Sequence, residues 1–149
     1  MKINDRMPDL DESGTWINSS GVRTEDLIGQ IPTLIYFWSI SCELCEKSLP
    51  LINQLRDELQ GKLQVISVHT SLSESDNNLP AIREAALEKN ITEPLFVDLD
   101  ETLSTTFNFR YVPAYYVFDE NGMLRHSQSG SGNIHLLRRR LERVLKENS

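Results

Sequence analysis

Thr33-Leu34-Ile35-Tyr36-Phe37-Trp38-Ser39-Ile40-Ser41-Cys42-Glu43-Leu44-Cys45 is the stretch that decides how this chain folds. It begins as an unbroken β-branched and aromatic run, the composition of a strand buried on both faces. The run ends in a hydroxyl-rich turn and two cysteines, the only ones among the 149 residues. Beyond them Leu44, Leu49, Leu51, Ile52, Leu55 and Leu59 approximate helical spacing, which predicts a helix from Glu43 to about Leu59 with a kink at Pro50. The strand therefore delivers Cys42 to the N-terminal edge of a helix and places Cys45 one turn further in. Two thiols so spaced can close a small disulfide and open it again. A permanent bridge over so short a loop would remove little unfolded-chain entropy, so the pair suits chemistry better than stapling.

Working outward toward the C-terminus, residues 63–68 read as a second buried strand after a helix stop at Gly61, and 71–78 as a polar loop. A helix over 79–89, a short strand at 95–98, a short helix at 102–107 and a strand at 114–118 follow. Asn121-Gly122 marks a hairpin into a returning strand at 123–128. Gly130-Ser131-Gly132 then turns the chain into a closing helix over 133–146. Toward the N-terminus, residues 1–30 are polar, with a short strand at Trp16-Ile17 and a capped helical turn at 24–27 that stops at Gly29. Alternating strands and helices predict an α/β fold: a central mixed sheet, parallel at its middle, with helices on both faces and antiparallel strands from the hairpin. The chain reads as a single domain over 1–149, with 1–30 an N-terminal extension packed on it.

This length supports a core without metal or disulfide. A net charge of -7, from 22 acidic and 15 basic residues, disfavours nucleic acid and anionic lipid as partners. Arg138-Arg139-Arg140 lies in a helical pattern and reads as a solvated face. Residues 1–8 carry no apolar signal core, and no run nears the about 18 apolar residues of a membrane span. As written the chain reads as a cytoplasmic monomer; an exported domain relieved of its leader would read the same way. A reducing cytoplasm would keep both thiols free for chemistry.

Met7-Pro8-Asp9-Leu10, Phe37-Trp38, Cys42 to Cys45, Leu49-Pro50, Val112-Pro113 and Val117-Phe118-Asp119-Glu120-Asn121-Gly122 together resemble the thioredoxin superfamily, and more closely its TlpA/ResA-like thiol-disulfide oxidoreductases. These segments follow the family's order over most of the chain. The resemblance implies a thioredoxin-like fold and a cis Val112-Pro113 bond facing the disulfide, where an extended partner segment pairs with the backbone. It also departs from the pattern. Tyr36 stands where thioredoxins usually carry a buried acid, and Ser48 where ResA-like proteins often carry a glutamate, which leaves Cys45 without a familiar proton acceptor.

The chemistry follows from the thiolate, the only form of cysteine that attacks a disulfide efficiently. A helix N-terminus favours that anion through unpaired N–H groups and the helix dipole. Cys42 is therefore the expected nucleophile and Cys45 the resolving thiol. Val112, Pro113 and Trp38 are candidate substrate contacts, and Glu43, Ser41 and Tyr36 candidate tuners of the thiol, although Tyr36, Phe37 and Trp38 read first as core or rim packing. Glu43 opposes a thiolate by charge but complements the dipole; Ser41 has two uses, as helix cap or as thiolate donor, with the cap preferred. Tyr111 is read as groove or packing, and Tyr115 and Tyr116 as facing opposite ways. His69, His126 and His135 are scattered singly and read as structural or exposed.

The function this implies is thiol-disulfide exchange with a protein disulfide or dithiol, run as a disulfide reductase, recycled by an electron donor and needing no cofactor or metal. A zinc site would need a second Cys or His pair, which the sequence lacks. Two further readings are a thioredoxin-like binding module without turnover, and a thiol peroxidase suggested by Ser39 three residues before Cys42. Against the peroxidase, Ile35 stands where that family has proline.

Overall fold

The computed structural model describes residues 1–130 and 132–148; the turn predicted at Ser131 thus lies outside the described residues in part. Among them six strands form one sheet: β1 (Thr15–Ile17), β2 (Thr33–Trp38), β3 (Gln64–His69), β4 (Leu95–Val97), β5 (Ala114–Phe118) and β6 (Leu124–Ser129), in the order β1-β4-β3-β2-β5-β6. β2, β3 and β4 run parallel, while β1, β5 and β6 pair antiparallel with their neighbours. The helices are α1 (Thr24–Leu27), α2 (Glu43–Glu58), α3 (Leu79–Glu88), α4 (Thr102–Phe107) and α5 (Ile134–Asn148). A thioredoxin-like arrangement results, with its mixed sheet covered on both faces.

β2 lies at the centre because every one of its six residues is buried. Alternation along it splits the core in two. Phe37 points to one face, where its ring packs 4.9 Å from Phe107 of α4 and 4.7 Å from Phe109. Tyr36 points to the other, beside its cross-strand partner Tyr115 and beneath α2. Tyr115 and Tyr116 do point opposite ways, but both are buried: Tyr116 meets Phe37 and Phe107, so neither reaches solvent. α2 and α5 touch on the Tyr36 face, and Asn53 of α2 donates to the Lys89 carbonyl at the end of α3. α2 runs unbroken through Pro50, which carries no N–H for the carbonyl one turn back.

The first thirty residues hold both sides of the sheet. β1 extends it beyond β4, and Arg6 bridges to Met123 next to β6. Met7 N–H donates to the Gly122 carbonyl at 2.8 Å, in the hairpin turn whose φ of +78° suits glycine. Thr24 ties the extension to itself, accepting from Leu10 N–H and donating to the Pro8 carbonyl, both at 2.9 Å.

Candidate active site

β2 ends at Trp38, and Ser39-Ile40-Ser41 carries the chain to Cys42, the N-cap of α2. The cap is a sulfur where an oxygen is usual: Cys45 N–H donates to Cys42 Sγ at 3.1 Å. The two cysteines form a disulfide with Cα atoms 5.3 Å apart. Cys42 retains 8% of its surface and Cys45 only 1%, so a partner reaches Cys42 first. Opposite lies the Val112–Pro113 bond, which is cis, with the Val112 carbonyl oxygen 3.8 Å from Cys42 Sγ. Helix end, sulfurs and carbonyl thus meet at one point of the surface.

The neighbours proposed from sequence fall differently. Trp38 is fully buried and its ring stands edge-on to His69 at 5.1 Å, so it packs the core and cannot touch a substrate. Tyr111, by contrast, is exposed beside Val112. Glu43 is exposed in the first turn of α2. Ser41 is not the cap, which is Cys42; its hydroxyl donates to Asp76 Oδ2 at 2.7 Å. Spacing could not reveal this, because Asp76 lies 35 residues away in a short 3-10 helix, Glu74–Asp76.

Tyr36 also has a distant partner. Its hydroxyl donates to Glu93 Oε2 at 2.5 Å, and Glu93 Oε1 meets Arg56 Nη1 of α2 at 2.6 Å. A buried acid is therefore present beneath α2 after all, supplied by the segment before β4 rather than by Tyr36 or Ser48. Burial, then the adjoining Glu93 charge, push the Tyr36 phenol well above its ordinary range, so it stays protonated. It is a donor, not a tuner that changes charge. Ser48 sits one turn after Cys45, where its hydroxyl donates to the Leu44 carbonyl at 3.2 Å. The Tyr115 hydroxyl lies near Ser48 without closing a hydrogen bond, and burial pushes its pKa up to about 12.

His69, read from the sequence as structural or exposed, is structural. It is 1% exposed, and its Nε2 accepts the Ile40 N–H at 3.1 Å, which puts the ring proton on Nδ1. Burial brings its pKa down to about 4, against a smaller upward pull from Asp76. The ring is thus neutral at pH 7 and anchors the loop that carries Cys42. An unfolded His69 takes up its proton near pH 6.5, whereas the folded one resists until about 4, so stability falls as pH drops through that window. The loss from this group is about 3 kcal/mol at most. Urea midpoints at pH 7 and 4.5 should show a wild-type loss that His69→Gln largely escapes, since an amide oxygen can accept the Ile40 N–H without titrating. Equal losses in both proteins would refute the assignment.

Among the described residues no helix is long and apolar enough to cross a membrane. Comparison with known proteins agrees with the geometry. The AhpC/TSA family profile matches residues 3–127. Thiol-disulfide oxidoreductase YkuV of Bacillus subtilis is 48% identical over 147 residues, 99% of each chain. A thioredoxin-like protein solved in solution in its oxidised form superposes with a TM-score of 0.91 at 47% identity, covering 100% of both chains. A thiol-disulfide isomerase from Corynebacterium glutamicum shares the fold, with a TM-score of 0.81 at 22% identity over 93% of this chain and 96% of its own. A profile spanning most of the sequence and a relative matched from end to end lead to one conclusion: this chain belongs to the AhpC/TSA family.

Proposed function

We propose that this thiol-disulfide oxidoreductase works as a reductase of disulfides in protein partners. The observation that makes Cys42 the attacking sulfur is the Cys45 N–H donated to Cys42 Sγ at the start of α2, on the more exposed of the two sulfurs. In the reduced protein that N–H and the helix dipole favour a Cys42 thiolate. The thiolate attacks one sulfur of a partner disulfide; the Cys42–partner bond forms as the partner's S–S bond breaks, and the other partner sulfur leaves as a thiolate. Cys45, deprotonated, then attacks Cys42 Sγ. The Cys42–Cys45 disulfide forms, the second partner sulfur departs, and two electrons have passed to the partner. A dithiol donor must return them. Val112-Pro113 lines the approach, and an extended partner segment would lie along its backbone. A reducing compartment, the cytoplasm in this reading, suits that direction.

Trapping with Cys45→Ser tests the scheme. Without the resolving thiol the mixed disulfide should persist, so that incubation with a disulfide-containing protein yields a one-to-one adduct that dithiothreitol dissolves. Absence of any adduct while wild type turns over the same substrate would exclude Cys42-first attack. A binding module would hold a partner without becoming covalently attached, and a thiol peroxidase would consume peroxide through a sulfenic acid at Cys42.

A further inference from the structure

The loop in front of the nucleophile is held by more bonds than a turn requires. Asp76, 3% exposed, collects the Ser41 hydroxyl at 2.7 Å, the Ser39 hydroxyl at 3.1 Å and the Leu72 N–H at 2.8 Å, all on Oδ2. His69 takes the Ile40 N–H between the two serines. Ser39, Ile40 and Ser41 are thus each held from β3 or from the loop that follows it, and the next residue is Cys42. The arrangement has an electrostatic consequence. Burial alone would raise the Asp76 pKa, but the Ser41, Leu72 and Ser39 donors outweigh it and hold it below the ordinary carboxylate value. Asp76 is therefore an anion at neutral pH, and neutral His69 does not cancel it.

We propose that Asp76 is a positioning residue that makes this site more reducing: it draws the Ser41 hydroxyl away from Cys42 and keeps a negative charge behind the nucleophile. Both effects act against the Cys42 thiolate, the state that α2 favours. A less stable thiolate means a less stable reduced protein, hence a stronger reductant, just as stabilising the reduced form makes an oxidant. The inference rests on the reductase reading above and supplies a reason for its direction. The other titratable groups on elements around Cys42 are Glu43, Cys45, Glu46 and Lys47 on α2, His69 on β3, Glu74 beside Asp76, and Arg110 and Tyr111 before Val112. Of these, Glu43, Glu46, Lys47, Glu74, Arg110 and Tyr111 are exposed, where solvent screens them.

The test is the thiolate absorbance of the reduced protein as a function of pH, together with its equilibrium against glutathione. Asp76→Asn keeps an acceptor but removes the charge. It should lower the Cys42 pKa by about one unit and make the protein about threefold to tenfold less reducing against glutathione. Ser41→Ala leaves the carboxylate with one donor fewer and should move the Cys42 pKa upward. A purely structural Asp76 would lower the melting temperature and leave both readouts where they were, and that result overturns the proposal. Should Asp76→Asn fail to fold, Ser41→Ala decides, an unmoved Cys42 pKa again overturning it. Failure of wild type to reduce insulin would remove the reductase reading while leaving these titrations interpretable, so the two failures are distinguishable.

Discussion

Cys42→Ser is expected to reduce insulin-disulfide reduction to the uncatalysed background, a loss of at least about a thousandfold. A serine hydroxyl at this cap can still accept the Cys45 N–H, so α2 should keep its start. What disappears is the ionisable sulfur, because no helix dipole lowers an alcohol's pKa enough to make an alkoxide near pH 7. The thermal midpoint of the variant should match that of reduced wild type. Residual turnover above a few per cent of wild type would mean that another group attacks the disulfide, and since Cys45 is 1% exposed, that would require α2 to open. Pairing this variant with Cys45→Ser separates the two sulfurs: one variant forms no adduct, the other forms one and stops.

The second large effect is on stability. Arg56→Leu should destabilise the fold by about 3 kcal/mol, because it strands the Glu93 carboxylate, whose side chain is 3% exposed, without its cation. The guanidinium also donates to the Asn90 carbonyl and to Asn53 Oδ1, so the change loosens α2 from the end of α3 as well. With a urea dependence of about 2 kcal/mol per molar, the midpoint should fall by about 1.5 M. Tyr36→Phe removes one donor from the same carboxylate and should cost about 1–2 kcal/mol. The double variant should cost less than the sum, since both changes act on one carboxylate. Additive losses would show that Tyr36 and Arg56 stabilise the protein independently. Turnover per folded molecule in Arg56→Leu should be unchanged, which would mark the triad as a support of α2 rather than a proton carrier for Cys45.

Much of this protein was readable from local pattern. The six-residue apolar run became β2, Asn121-Gly122 became a hairpin turn, and 102–107 became α4 with the expected bounds. Other limits shifted by a residue or two: β3 and β6 each begin one residue later, and α5 ends at Asn148. Strand and helix ends depend on which backbone groups find partners, and propensity senses that weakly. The pairing of Cys42 with Val112-Pro113 was reached through family resemblance, not spacing, since 70 residues separate the groups that meet.

By itself the sequence determined the alternation of elements and the place of Cys42 at a helix start. Both follow from side chains within a turn or two of one another, where hydrophobic period and turn chemistry act. Only the tertiary structure decided what surrounds the sulfurs. Parallel pairing of β2 with β3 sets Trp38 against His69 and brings the loop after β3 to the loop after β2. Asp76 thereby meets Ser41, and His69 meets Ile40. The missing acid under α2 proved to be Glu93, 57 residues from Tyr36, because a buried phenol and a buried guanidinium both need a partner and only the folded sheet brings one within reach. Trp38, for which the sequence left packing and substrate contact both open, is core because strand alternation and packing on His69 turn it inward.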